Sequence, residues 1–428
     1  MTAVQASGAK AVRQKIWWSN AVFFVGVHVA TVIGAYYRPP WLVKPATLVF
    51  AFLVWQLADF GITIGYHRLY SHKAFRASIG VRIVLALLGA VAFQGSIKWW
   101  CLRHRLHHRY TDDPIHDPYA ATRGFFYSHM GWIFFKPNYE RMGLIERDDL
   151  ERDPVVRFQH KNYVLLALTL GFGMPPLIGF FWGDALGAFV WAGLVARLFI
   201  WHCTFLVNSF AHMHGLQPYS DEDTSRGNLV RASSSGPRDN QRLKCSKLLA
   251  LLTGGEGNHN FHHSFPHDFR SGPSNLDWDP SKWIIIGLHH LGWVSGLRKA
   301  REIDVTDSLE HMKKKTLHPG VALEEEDSEW QGEVWNDAEV FTFQEKNPSR
   351  CLLLLGGYVV DVTRYLGEHP GGAAHLRTHS IRKQGDINST GAQWAFYGGF
   401  NNHSRAAKKR MREMRIAKLI EPGVNNAI

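Results

Sequence analysis

The sequence predicts a mainly α-helical protein in two parts. The first is a membrane domain of four spanning helices with a histidine-lined cytosolic cap; the second is a small soluble α+β domain. Three observations carry this. Four apolar runs are each long enough to cross a bilayer, which takes about 20 residues. Histidines recur at H-x-x-H-H spacing in two places, among 24 in 428 residues. After about residue 298 the composition turns polar, and no spanning run follows. The expected divisions are 1–17 for a cytosolic N-terminal arm, 18–298 for the membrane domain, 299–329 for a polar helix and linker, and 330–425 for the soluble domain.

The spanning runs are Trp18–Tyr37, Ala46–Tyr66 with Asp59 inside it, Tyr163–Trp182, and Ala185–Phe210 with Arg197 inside it. They pair as two hairpins, turning at "RPPWLVKP" and at Gly183-Asp184. Lys10, Arg13 and Lys15 precede the first run, and the stretch 98–161 between the hairpins is rich in Arg and Lys. The positive-inside rule therefore places both termini and the central loop in the cytosol, and both short turns across the membrane. Ile83–Ile97 is too short to span and reads as a re-entrant or interfacial helix; Trp283–Leu297 is similar. A buried charge in lipid is costly and often functional, so Asp59 is a candidate support for a nearby histidine and Arg197 a candidate partner within the bundle. The net charge of +11 suits an anionic membrane surface, and with these spans no nucleic-acid partner is expected. Four scattered cysteines with no C-x-x-C suggest neither a thiolate metal site nor a disulfide framework.

Beyond the membrane domain, "RKAREIDVTDSLEHMKKKT" reads as a polar helix. "LHPGVALEEEDSEW" reads as a linker, a tether that sets how often the two domains meet. "CLLLLGGYVVDVT" reads as two strands around a Gly-Gly turn.

Helical positions i, i+3 and i+4 share a face. His104, His107 and His108 thus present three imidazoles in one direction, and His259, His262 and His263 do the same. His67 and His72, five apart, straddle a helix end or embrace a site from two sides. Asn208 and His212 lie i, i+4 near the cytosolic end of the last span. Nine histidines and one asparagine converge on one membrane boundary. Neutral imidazole is the commonest metal ligand, and nine exceed what one ion takes, so two metals are the natural count. Imidazole suits Zn, Fe, Cu and Ni alike.

The boxes "HRLYSH", "HRLHH" and "HNFHH", with "NSFAH", resemble the membrane acyl-CoA desaturases of the stearoyl-CoA Δ9 type, and "GEGNHNFHHSFPHDFR" is similar to their fungal branch. The resemblance covers about residues 20–300. It implies a di-iron centre in which His67, His72, His104, His108 and His262 bind one iron. His107, His212, His259 and His263 would bind the other, with Asn208 reaching it through water. It implies a fatty acyl-CoA substrate, O2, membrane lipid around the spans, and residence in the endoplasmic reticulum membrane with the active site cytosolic. Lys136 stands where the family has a basic CoA contact, and Trp100 where it has a Trp just before the second box. Leu102-Arg103 stand where animal members have Arg-Asp, which helps hold the CoA.

"HPGG" at 369–372 and the later "FYGGFNNHSRAAKKRM" resemble cytochrome b5. That family ligates haem b through two histidines, which implies His369 and His403; the interval between them is longer than usual, with "SIRKQGDINSTGAQ" an apparent insertion, and His375 and His379 lie inside that interval as rival ligands. A haem with two axial histidines transfers electrons rather than binding oxygen. An NADH–cytochrome b5 reductase is the implied source of those electrons. Box three begins with His259, whereas front-end desaturases usually have Gln there and carry cytochrome b5 at the N-terminus; both facts favour the Δ9 class. A hydroxylase or a desaturase of other regiochemistry on the same scaffold is the alternative within this class. A zinc-containing membrane receptor is the alternative outside it.

Overall fold

The computed structural model describes residues 14–227, 247–320 and 330–420, apart from 370–371, 383–385, 387–389 and 398–402. The linker 321–329 and the end of the soluble domain beyond Ile420 thus lie outside the described residues, as does part of the insertion. Four helices are long and apolar enough to cross a membrane: α1 (Trp18–Tyr37), α2 (Pro45–Ser71), and two more at Tyr163–Phe180 and Ala185–His212. Their outer faces carry exposed apolar side chains; Val22 is 66% exposed and Phe180 74%, as a lipid-facing surface requires. The chain is a multi-pass membrane protein. Both hairpin turns meet: Asp184 accepts hydrogen bonds from Thr47 Oγ1 (2.6 Å) and the Lys44 amide (3.0 Å), which puts the two turns on one side.

α2 is α-helical to Phe60 and then winds as a π-helix from Gly61 to Ser71. Between these spans and the cap lie strand β1 (Arg76–Ala77), α3 (Ile79–Val91) and α4 (Ile97–Arg109). α3 packs on the π segment at glycines. A Cβ on Gly61 would lie 2.4 Å from the Gly89 nitrogen, and one on Gly89 would lie 2.2 Å from the Tyr66 ring. Only at glycines can these backbones approach so closely. The short apolar helix expected at Ile83–Ile97 is α3, shifted four residues toward the N-terminus; its residues Ile79, Ile83, Val84 and Leu87 form an exposed apolar stripe.

α5 (Phe125–His129) precedes the second pair of spans, α6 (Tyr163–Phe180) and α7 (Ala185–His212). Both wind briefly as π-helices, at Thr169–Gly173 and Phe189–Val195. Wider winding releases backbone carbonyls, and the fully buried Arg197 donates to one of them, Gly171 O, at 3.0 Å. Arg197 therefore pairs inside the bundle.

The cap is completed by α8 (His259–Ser264), α9 (Pro280–His290), strand β2 (Val294–Ser295), antiparallel to β1, and α10 (Glu302–Leu317). α10 is the expected polar helix, but it is no free spacer: Val305 and Leu309 pack on Phe261 and Phe265.

The soluble domain has a four-stranded sheet of β3 (Glu333–Trp335), β4 (Leu352–Leu355), β5 (Tyr358–Asp361) and β6 (Arg415–Leu419), in the order β3-β6-β5-β4. The β4–β5 hairpin turns at Gly356 and Gly357, both at positive φ, as its two-residue turn demands. Helices α11 (Asp337–Lys346), α12 (Ala373–Thr378), α13 (Thr390–Tyr397) and α14 (Arg405–Glu413) surround the sheet. Two small cores hold it together, one around Val360 and Met411 and the other around Val340 and Val359.

Candidate metal and haem sites

The nine box histidines gather into two groups. His67, His72, His104, His108 and His262 each bring one ring nitrogen within 4.8 Å of the others, and so do His107, His212, His259 and His263. These are the two sets expected from the sequence. The Nε2 atoms of neighbouring rings lie 3.0 Å apart for His67–His262, 2.8 Å for His72–His104 and 3.0 Å for His262–His108. In the second group His259–His212 are 3.1 Å apart and His263–His259 3.0 Å. Ligand atoms bound at about 2.1 Å and right angles around one metal lie about 3 Å apart, so the donor sets fit a first-row ion each. The groups adjoin, with the His108 and His263 rings 4.4 Å apart.

α4 explains the second box. Residues i, i+3 and i+4 point one way, and the small twist between them sends His104 and His108 to one group and His107 to the other. α8 divides His262 from His259 and His263 in the same manner. The first box relies on the π winding. In an α-helix five residues advance about 140° past a full turn. Here the His72 amide donates back to the His67 carbonyl (3.1 Å), closing one wide turn, and the two rings stand 4.8 Å apart.

Electrostatics keep the rings ready to ligate. Burial, then mutual repulsion among the imidazoles, holds His72, His104, His108, His259, His262 and His263 well below the usual histidine pKa, so their lone pairs are available. His107 differs: burial would lower it, but the Asp117 carboxylate raises it above the ordinary value.

Partners turn the other ring nitrogen of four histidines outward from the sites, Asp117 and Glu256 buried and Asp223 and Thr224 half-buried. His107 Nδ1–H donates to Asp117 (2.9 Å) and His263 Nδ1–H to Asp223 (3.1 Å). His212 Nδ1 bonds Thr224 Oγ1 (2.9 Å), whose own hydrogen goes to Asp112 (2.7 Å). His67 Nδ1 lies 3.4 Å from Glu256. Burial would raise Glu256, yet Arg68 and His67 hold it at about 2. Arg68 is tied in turn to Asp279 (3.0 Å). Such partners fix the tautomer and orientation of a ligating histidine. Sequence reasoning missed all four; only Asp117, ten residues past His107, lay close enough to its own box to be a signal. Asp59 is buried, but its Oδ2 faces the Gly254 turn rather than an iron-side histidine and has no hydrogen-bond partner among the described residues.

Asn208 is half-buried one turn before His212 on α7. Trp100 stacks on His104 (4.9 Å) and meets His67 edge-on (6.2 Å), so it walls the five-histidine group. Lys136 is exposed and pairs backbone to backbone with Lys15 (2.8 Å); its side of the cap has a depression lined also by Arg123, Tyr127 and Tyr139. Arg103 caps the Trp99 ring at 3.6 Å. Three histidines outside the boxes form a chain that periodicity does not signal: His28 and His202 approach at 3.1 Å, and His202 and His129 at 2.9 Å.

In the soluble domain the His369 and His403 rings face each other, 24° from parallel with centroids 6.4 Å apart. His369 Nδ1 bonds the Gly372 carbonyl (3.3 Å) and His403 Nδ1 the Phe396 carbonyl (2.9 Å), which makes Nε2 the ligating nitrogen in each. His375 and His379 instead pair with each other, at 5.1 Å. The opposed pair fits a haem iron between them.

A family model described as fatty acid desaturase matches residues 39–270, and one described as cytochrome b5-like heme/steroid binding domain matches residues 336–420. The chain is 36% identical over 422 residues to Acyl-CoA desaturase 1 of Saccharomyces cerevisiae, which covers 97% of this chain and 76% of that protein. It is 34% identical to the Probable acyl-CoA desaturase of Schizosaccharomyces pombe, across 94% of this chain and 77% of the relative. Stearoyl-CoA desaturase 5 of Homo sapiens is 36% identical across 68% of this chain and 84% of its own length.

Proposed function

We propose that this chain, which belongs to the fatty acid desaturase family and carries a cytochrome b5-like domain behind it, inserts a cis double bond at the Δ9 position of saturated fatty acyl-CoA, stearoyl- or palmitoyl-CoA. The family works with a di-iron centre, and the cytochrome b5-like domain binds haem b. We assign one iron to His67, His72, His104, His108 and His262. The other falls to His107, His212, His259 and His263, with Asn208 reaching it through water. His369 and His403 take the haem. The di-iron centre supplies the reduction of O2 and the breaking of two C–H bonds. Electrons balance: the alkyl chain gives two, the haem domain two, and four reduce O2 to two waters.

The protein's residues do the rest. The imidazoles present lone pairs, and their carboxylate and hydroxyl partners hold them in register. Trp100 offers an apolar wall to an alkyl chain beside the five-histidine group. Lys136 and Arg123, at the depression on the cap, suit the phosphates of CoA. An NADH–cytochrome b5 reductase would reload the haem, and residence in the endoplasmic reticulum membrane, with both termini and the active site cytosolic, puts iron centre, haem and reductase on one side.

The observation that carries the reading is the pair of adjoining all-imidazole groups, His108 against His263, at one end of a four-helix membrane bundle. Expression in a desaturase-deficient host, with fatty-acid profiling by gas chromatography, tests it. Δ9-monounsaturated acids are expected. A hydroxylated product or a double bond elsewhere selects the other outcomes of the scaffold. Bound zinc without turnover selects a receptor.

A further inference from the structure

The haem domain meets the cap through α14 and Gly372. Arg301, just before α10, pairs with Glu413 at 2.7 Å. Asp307 of α10 pairs with Arg405 (2.6 Å) and Lys409 (3.3 Å) of α14. Among the described residues, two contacts of this interface reach residues that touch or adjoin the box histidines, besides Arg109, one residue past His108, whose charge adds to burial in lowering the pKa of His375 and His369. In one, the Arg405 amide donates to Glu222 Oε1 at 3.0 Å, and the next residue, Asp223, accepts from His263 Nδ1 at 3.1 Å. Arg405 follows His403 by two residues. In the other, Gly372 abuts Glu146, where an added Cβ would lie 2.2 Å from the carboxyl. Glu146 pairs with Lys73 (2.8 Å), the neighbour of His72.

Electronic coupling decays slowly along covalent and hydrogen bonds and steeply across van der Waals gaps. The Glu146 contact contains such a gap and a long lysine side chain that is not itself conjugated to His72. The Glu222 contact contains two hydrogen bonds joined by continuous covalent chain, with no van der Waals gap. We propose that Glu222–Asp223 is the electron entry of the membrane domain. The route runs from His403 through Ser404 to the Arg405 amide, across to Glu222, along the chain to Asp223, and across to His263, so that the four-histidine site is reduced first. This rests on the desaturase reading. Each passage oxidises a ferrous haem to ferric and reduces one ferric iron of that site to ferrous. An external one-electron donor, a reductase of the flavoprotein class, restores the haem.

Arg405 allows a clean test. It is the first residue of α14, where an amide has no partner inside the helix and proline is tolerated. Ser404 before it is already extended, at φ −58° and ψ 159°, as a residue preceding proline must be. Arg405→Pro removes the amide donor and the side-chain ion pair; Arg405→Ala removes only the ion pair. The holoenzyme, its haem chemically reduced without oxygen, is mixed with stearoyl-CoA and O2. The acyl-CoA-dependent haem reoxidation is followed by absorption. Losing the hydrogen-bonded step should make Arg405→Pro slower than Arg405→Ala, with haem spectrum and non-haem iron content matching. Glu222→Ala should slow the step similarly and also speed hydrogen exchange at the Arg405 amide, which guards against misfolding of the proline variant. Equal rates for Arg405→Pro and Arg405→Ala overturn the route, as does a larger slowing by Glu146→Gln than by Arg405→Pro. A wild-type haem that acyl-CoA and O2 leave reduced overturns the desaturase reading and the route with it.

Discussion

Replacing Asp117 with Asn should release one iron and leave the other. The carboxylate is buried and receives three donors. Oδ1 accepts from His107 Nδ1 (2.9 Å) and the Tyr119 amide (3.1 Å), and Oδ2 from the Asp112 amide (3.0 Å). Asparagine keeps a single acceptor oxygen. Placed at the Oδ1 position, it retains His107 but turns its NH2 against the Asp112 N–H, leaving a buried donor unsatisfied at about 1–3 kcal/mol. The bond to His107 also loses its charge, and with it about half its strength. Removing such a partner typically weakens metal binding about 10–100-fold, equivalent to about 1.4–2.7 kcal/mol. His107 belongs to the four-histidine group alone, so that site should empty at a correspondingly lower chelator concentration while the five-histidine site holds. The haem is a built-in reference: non-haem iron per haem, read by elemental analysis against the haem absorbance, should pass through a plateau at half its starting value. Both irons leaving together at the wild-type chelator concentration would refute the assignment of Asp117 to one site.

Gly61→Ala should lower the melting temperature and the iron of the five-histidine site together, because its Cβ meets the backbone of Gly89 and Leu88 at 2.4 and 2.5 Å and forcing those helices apart costs about 1–3 kcal/mol. Gly26→Ala, with open space around it, should change neither. His403→Ala should abolish the absorption spectrum of a haem with two axial histidines, while His379→Ala should keep it; the reverse result would reassign the second ligand. Acid should loosen the docked haem domain. At Asp307 burial opposes but hydrogen bonding to Arg405 wins, and at Glu413 hydrogen bonding to Arg301 leads; both are held below the usual carboxylate range. Their contribution is complete above the ordinary carboxylate pKa and is lost as pH falls below it through their depressed values, each small because solvent screens it. Hydrogen-exchange protection in 405–413, corrected for the intrinsic pH dependence of amide exchange, should fall in acid, and also at 1 M salt, where the screening length is about 3 Å.

The spans and the two H-x-x-H-H sets were legible because each is a local pattern: apolar length for the first, helical periodicity for the second. What brings His67 to His72 was not, since a 3.6-residue helix separates them and only Gly61 and Gly65 hint at the wider winding. Asp223 could not be matched to His263 across 40 residues by spacing. Arg301, Asp307, Arg405 and Glu413 read as solvent charges on polar helices, and only the folded chain shows them facing each other. The linker was legible as a break in composition, but the helix ahead of it is fastened to the third box by Val305 and Leu309, which a mean polarity conceals.

That fastening decides how the carrier behaves in time. A tethered domain that swung freely would work as a ferry, loading at one partner and discharging at another. Held by Arg301, Asp307 and Glu222, this one delivers from a docked position. Two single-electron deliveries are needed for each double bond, so the donor must return between them to the same docked surface. Under the function proposed above, a reductase must then come to the docked haem, and the waiting time between the first and second electron would be set by how often it revisits.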